Sequence, residues 1–518
     1  MKASEITKDT SVGDIVRLCP AARRIFDEHG LKGCGGENGP SEPLAFFAVV
    51  HQANAEELLR EINAEVANPN PGPYVYKTSL EDYVYRRFFK AGVATVLTVG
   101  CLWGAINLRQ IAMGKSFLQL HLLPSIHAHA HAMIFGWVGM FVMGFAYQSF
   151  PRFKNTRLWR PDLANLSFYL LAAGIVAGMV ADMLSPSSIA LGLGGISGVC
   201  ELAAVVLFMM VLYRTGRQSI GPHNPYEKFI ATSLVWFLLG TALEAVFFFA
   251  RATAHSQESQ ILRMALIDGP LRDVQLLGFA ALIIAGVSQR FVPHFYGLAK
   301  PAQDRQGLIF RLMNGSLIMN ISSYVLLLTT RNLYFAIGLE IAYLLMPIWA
   351  ALLAIQVGVF RHPSQPDRTF KFFRAAYVWL LLSCGMMPFF PLYGVLTHQV
   401  FAHSYMGSQR HAFTVGFISM MILGVSSRVV PILAGIDGKS MNSLWAPFIL
   451  FNLGCSGRVL LQVLTDFVPN LAYPLIGYTG LIELTALVWW GVELWHTMNL
   501  ARKGRTASMI MPFPARVR

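Results

Sequence analysis

Charge is scarce in this chain. Asp, Glu, Lys and Arg make up only 13% of its 518 residues, about half of what a soluble domain carries. With 54% hydrophobic residues and a mean hydropathy of +0.49, this shortage excludes an ordinary soluble enzyme, a disordered chain and a nucleic-acid binder. Cysteine is also sparse. Six cysteines in so long a chain, with no CxxC among them, do not make a disulfide framework. An apolar leader is missing as well: MKASEITKDTSVGDIVRL is polar and charged, so the N-terminus is expected to stay in the cytoplasm. The surplus of positive charge, +13, then reads as loops on the cytoplasmic side of a membrane rather than as a nucleic-acid surface.

What is present falls into two textures. Residues 1–67 read as a small soluble helical head. Ser11 caps VGDIVRL with Asp14 three positions on, Pro20 opens AARRIFDEHG, and helices are expected over Leu44–His51 and Ala55–Val66. A linker, 68–90, begins with NPNPGP. Over 91–500, apolar runs of about 20 residues recur, each long enough to cross about 30 Å of hydrocarbon as a helix. Twelve are expected, near 91–113, 126–150, 165–185, 189–213, 228–252, 262–289, 308–329, 333–360, 371–397, 409–433, 444–467 and 473–499. Residues 501–518 form a basic tail on the same side as the head. The predicted fold is an all-α polytopic bundle with a small helical N-terminal domain. Arg152, Lys154, Arg157 and Arg160 follow span two, and Arg290, Lys300 and Arg305 follow span six, whereas DMLSPSS on the opposite side has no Lys or Arg. That asymmetry points the same way as the polar N-terminus.

Three spans share a frame. Gly136, Gly144 and Pro151 recur as Gly278, Gly286 and Pro293, and again as Gly416, Gly424 and Pro431. Five residues before the first glycine stand His131, Asp273 and His411. The membrane part is therefore expected to be three four-helix units.

Histidines gather at the outer ends of spans two and ten: His121, His127, His129 and His131, then His398, His403 and His411. An ionisable ring inside an apolar span is a functional candidate, and neutral imidazole is a natural axial ligand for haem iron. His127 and His131 are four apart and share one face, while His129 points elsewhere. Glu201, Glu244, Glu340, Glu483 and Arg458 also fall within spans, where each needs a partner or water. Arg458 is a candidate partner for a carboxylate or a haem propionate. Asp273 reads either as a local ion-pair partner of Arg272 or as a metal ligand.

Two stretches carry a resemblance. HAHAMIFGWVGMFVMGFAYQSFP and HAFTVGFISMMILGVSSRVVP resemble helices two and ten of the catalytic subunits of haem–copper oxidases and nitric oxide reductases. The resemblance implies that His129 and His411 are the two axial ligands of a low-spin haem. The chain departs from that pattern at Gln409 and Asp273, and in a span seven without histidine, so the usual haem–copper dioxygen centre lacks its ligands. HAHAMIFG and HAFTVG with the later Ser427-Arg428 resemble more closely the NnrS family, associated with nitric oxide stress, haem and copper. The segment TSVGDIVRLCPAARRIFDEHGLKGCGG resembles the N-terminal domain of ScdA-like iron–sulfur repair proteins, with Gly33 in place of the first loop cysteine.

These likenesses imply a haem b protein in the bacterial cytoplasmic membrane, handling nitric oxide with electrons from quinol, or else a non-catalytic haem sensor or scavenger. No nucleic acid is expected. A second haem or copper is the further expectation, with His127, His131, His403 and Asp273 as its candidate ligands. Cys34 and His51 are the candidates in the head.

Overall fold

The computed structural model describes residues 6–29, 39–40, 42–51, 53–68, 70, 80–114, 122–154, 156–219, 223–364, 367–399 and 402–500. No β-strand occurs among them; one isolated bridge joins Ser11 and Pro43. The head has four helices: α1 (Val12–Leu18), α2 (Ala22–Glu28), α3 (Leu44–His51) and α4 (Ala55–Ala67). The Ser11 hydroxyl accepts from the Asp14 N–H as predicted, and Asn54 caps α4 in the same way. Phe26 packs edge-on against Phe47, and Arg23 is buried with its partner Asp27 at 3.0 Å.

Among the described residues, twelve helices are long and apolar enough to cross a membrane: Val84–Ala112, Leu122–Phe153, Pro161–Leu184, Ser188–Arg217, Glu227–Ala252, Glu258–Tyr296, Gln303–Thr330, Tyr334–Val357, Phe370–Thr397, His403–Ala434, Trp445–Leu464 and Pro469–Leu500. They are called spans one to twelve. Span one starts at Val84, earlier than the apolar run, because its charged first turns find polar neighbours. Arg87 reaches Asn165 and Tyr169, and Lys90 reaches Asn499 at 2.6 Å. Long basic side chains at a helix end keep their heads near the interface in this way.

The predicted three-unit frame is visible in burial and packing. Spans two, six and ten are 78, 83 and 78% buried, against 28–44% for the other nine, so they form an inner ring of three. Each widens into a π-helix at the same place: Ala132–Gly139, Val274–Ala281 and Ala412–Ser419. π-Helical turns are rare and frequently mark functional sites. The frame glycines let the inner ring approach spans one, five and nine. A Cβ on Gly136, Gly278 or Gly416 meets Thr95, Trp236 or Trp379. One on Gly144, Gly286 or Gly424 meets Phe88, Phe229 or Phe372, seven residues earlier on the same three spans. Trp236 and Trp379 each donate to an asparagine two spans on, Asn314 at 3.2 Å and Asn452 at 3.0 Å.

A Cβ on Gly416 would stand 2.4 Å from Trp379 Cγ. Gly416→Ala is expected to lower stability by about 1–3 kcal/mol through overpacking. Gly315→Ala, with nothing within 4 Å, should be neutral or better. Thermal unfolding in detergent compares the two.

The head seats on the end of the bundle that carries the arginine-rich loops. Phe46 packs on Phe295 with ring centroids 5.1 Å apart, and the Arg428 guanidinium covers the same Phe295 ring at 5.2 Å.

Candidate functional site

The site residues lie at the opposite end of the inner ring, where the π-helices begin. His131, Asp273 and His411 each stand one residue before a π-segment. Each faces an outer span of its own unit, and the three surroundings differ.

In the third unit, His411 Nε2 lies 3.2 Å from Glu483 Oε1 on span twelve. Gly454 makes room for that carboxylate, since a Cβ there would be 2.5 Å from Glu483 Cγ. His129 belongs to the same place. His411 and Arg458 are near enough to act on it electrostatically. Its Nδ1 lies 2.9 Å from the Gly100 carbonyl, which only accepts, so Nδ1 carries the proton and Nε2 is the nitrogen on offer. That carbonyl ends a π-turn, Val96–Gly100. Gly104 lies against the ring, where a Cβ would be 2.6 Å from His129 Cε1. Among the described residues, no hydrogen bond or ion pair within 4 Å reaches the Arg458 guanidinium, although Glu483 acts on it through its charge. Two imidazoles and an unpaired guanidinium therefore gather between spans one, two, ten, eleven and twelve. This donor set fits a bis-imidazole haem with an anionic edge.

In the first unit, His131 Nε2 lies 2.7 Å from Glu201 Oε1, and Gly174 makes room for Glu201 as Gly454 does for Glu483. On its other side Nδ1 faces Glu244 Oε1 at 4.0 Å. Both ring nitrogens thus face carboxylates. Glu244 is held by Arg272 at 2.9 Å and Gln275 at 2.7 Å. Arg272 also meets Asp268 at 3.2 Å, and Asp268 meets Arg410 at 3.6 Å. Arg251 pairs with Asp182 at 2.7 Å, and both line a small pocket together with His131, Glu201 and Glu244. His127 is buried edge-on to Phe247, and its Nε2 has no hydrogen-bond partner.

In the second unit, Asp273 accepts from Asn320 at 2.7 Å. The local pair with Arg272 does not form, because Arg272 turns to Glu244 and Asp268. Asp273 lines a separate cavity with Tyr324, Cys384 and Gln409. His403 is exposed at the start of span ten.

The four residues expected at a second metal thus stand in three places: His127 with His131, Asp273 apart, and His403 apart. No group of three or more His, Cys, Asp or Glu side chains suited to a metal occurs among the described residues. Cys34 lies outside the described residues.

His51 is buried in the head, stacked on Phe47 with centroids 4.2 Å apart, and its Nδ1 has no hydrogen-bond partner. Burial first, then Arg152, Arg290 and His29, push its pKa down to about 3. Below about pH 6.5 the unfolded head takes up a proton that the folded head refuses. The head is therefore expected to lose stability as pH falls from 6.5 toward 3, and His51→Phe should flatten this dependence. Proteolytic susceptibility of the head between pH 5 and 8 measures it.

Sequence reasoning missed the pairing of Glu201 with His131 and of Glu483 with His411, and the position shared by Gly178, Asn320 and Arg458. Gly178 and Arg458 each lie four after a glycine that makes room for a glutamate of the next span, Gly174 and Gly454, and Asn320 meets Asp273 in the second unit. No common spacing marks them, since Gly174 and Gly454 stand at different distances in sequence from Glu201 and Glu483.

A comparison with protein-family models matches residues 80–502 to the one described as NnrS protein. No curated protein matches the chain.

Proposed function

The chain belongs to the NnrS family, and from that premise we propose that it is a membrane haem protein of the nitric oxide response, with one low-spin haem b held by His129 and His411. The observation that carries this reading is the His129 ring, fixed through Nδ1 on Gly100 with Nε2 left over, near His411 and an unpaired Arg458. His129 through Nε2 and His411 would hold the haem, and Arg458 would meet a propionate. The bound group would supply one-electron transfer. Gly100 and Gly104 orient His129; Glu483 orients His411 and can take its proton.

The resemblance to haem–copper oxidase subunits, the ScdA-like head, a quinol donor, a second haem or copper, and placement in a bacterial cytoplasmic membrane with both termini inside belong to the same proposal. Nitric oxide is the small-molecule ligand or substrate. The direct contact of Phe46 with Phe295 favours a second reading, in which the bundle senses or scavenges nitric oxide and the head passes the state on. An electrode trace of nitric oxide with reduced quinol separates the two. Consumption at a rate above that of the haem-free protein supports turnover, and a single stoichiometric uptake supports the sensor.

A further inference from the structure

A cavity of about 90 Å³ lies among the three inner spans, nearer the head than the histidines. Phe145 and Ala146 of span two, Val287 of span six, and Val425 of span ten are on its wall. Only two hydroxyl side chains line it, and both are satisfied elsewhere. Ser288 shares a hydrogen bond with Tyr377 at 2.7 Å, and Ser426 donates to the Ile422 carbonyl of its own helix. Water needs two to four polar partners to settle in a cavity, and none is offered here. Apolar cavities without such partners stay dry, and one of about 150 Å³ takes benzene or xenon. At about 90 Å³ this cavity is smaller than that one. It has room for one or a few atoms or molecules of diatomic size.

Toward the head, the cavity ends in aromatic rings. Arg290 covers Phe153 at 4.7 Å, Phe291 stacks on Phe295 at 4.1 Å, and Phe46 of the head closes over Phe295. The chain thus places a dry, apolar chamber among the three inner spans, separate from the histidine site.

We propose that this chamber is a binding site for small apolar gas molecules, with xenon as its probe. The proposal is independent of haem and of what the histidines ligate. The test is xenon-pressurised crystallography of the full chain. An anomalous peak is expected between Phe145, Val287 and Val425, and it should vanish in Val425→Phe, whose ring fills the chamber. Should that variant fail to fold, Ala146→Leu fills the opposite wall and is expected to lower the peak occupancy severalfold. Ordered water or a lipid chain in the unpressurised chamber, no xenon peak, or a peak that persists in a folded filling variant would overturn the proposal.

Discussion

If the proposed reading holds, replacing His411 by alanine is expected to abolish a low-spin haem spectrum, and replacing His129 to do the same. The expected loss is large because, on that reading, each ring would supply one of the protein's bonds to the iron. Altering only an outer partner of a metal ligand already costs about 10–100-fold in affinity. Removing a ligand itself should exceed this, leaving little haem after purification or a five-coordinate remnant. Two graded variants separate ligation from folding. Glu483→Gln keeps a hydrogen-bonding group near His411 Nε2 and is expected to retain haem with a shifted reduction potential. Gly104→Val leaves both histidines in place but drives a side chain into the His129 ring, and it should lose haem nearly as fully as His129→Ala. Absorption of the reduced and oxidised protein, with haem counted per chain, reads all four. Retention of haem in Gly104→Val would show that His129 does not act from the position described.

Arg272→Met is expected to destabilise the bundle by about 3–5 kcal/mol, the usual result of removing one partner from a buried ion pair. Arg272 is 7% exposed and holds Glu244 and Asp268 together. Without it, Glu244 keeps only Gln275 and the more distant His131 ring. Adding Glu244→Gln removes the stranded charge, so the double variant should recover much of the loss. Chemical unfolding in mild detergent measures the cycle. Additive losses in the double variant would contradict the pairing.

These two regions differ in how far they could be read from residues alone. The Gly136, Gly278 and Gly416 frame was legible because close helix approach demands small residues at fixed intervals, and spacing along one helix is local information. His129 and His411 stood out as candidates for a similar reason: each sits in a short pattern of its own, and their role is the proposal made above. The π-turns after His131, Asp273 and His411 were not, since no residue type enforces them. Nor was the choice of Arg272 between its neighbour Asp273 and Glu244, 28 residues away. That choice depends on span five packing on span six, which composition does not state. Span one was cut short because Arg86, Arg87 and Lys90 read as the end of an apolar run; neighbouring helices supply polar partners to Arg87 and Lys90. The equivalence of Gly178, Asn320 and Arg458 was hidden for the plainest reason: the three side chains share no chemistry. That position sets the units apart, with Arg458 unpaired near His129, Asn320 donating to Asp273, and Gly178 leaving room beside His131.

The most direct measurement is the haem-to-protein ratio of the intact chain, expressed with ample haem, taken alongside its two histidine variants. The account predicts one six-coordinate low-spin haem b whose signal requires both His129 and His411. A colourless protein, or a signal unchanged in either variant, would contradict it.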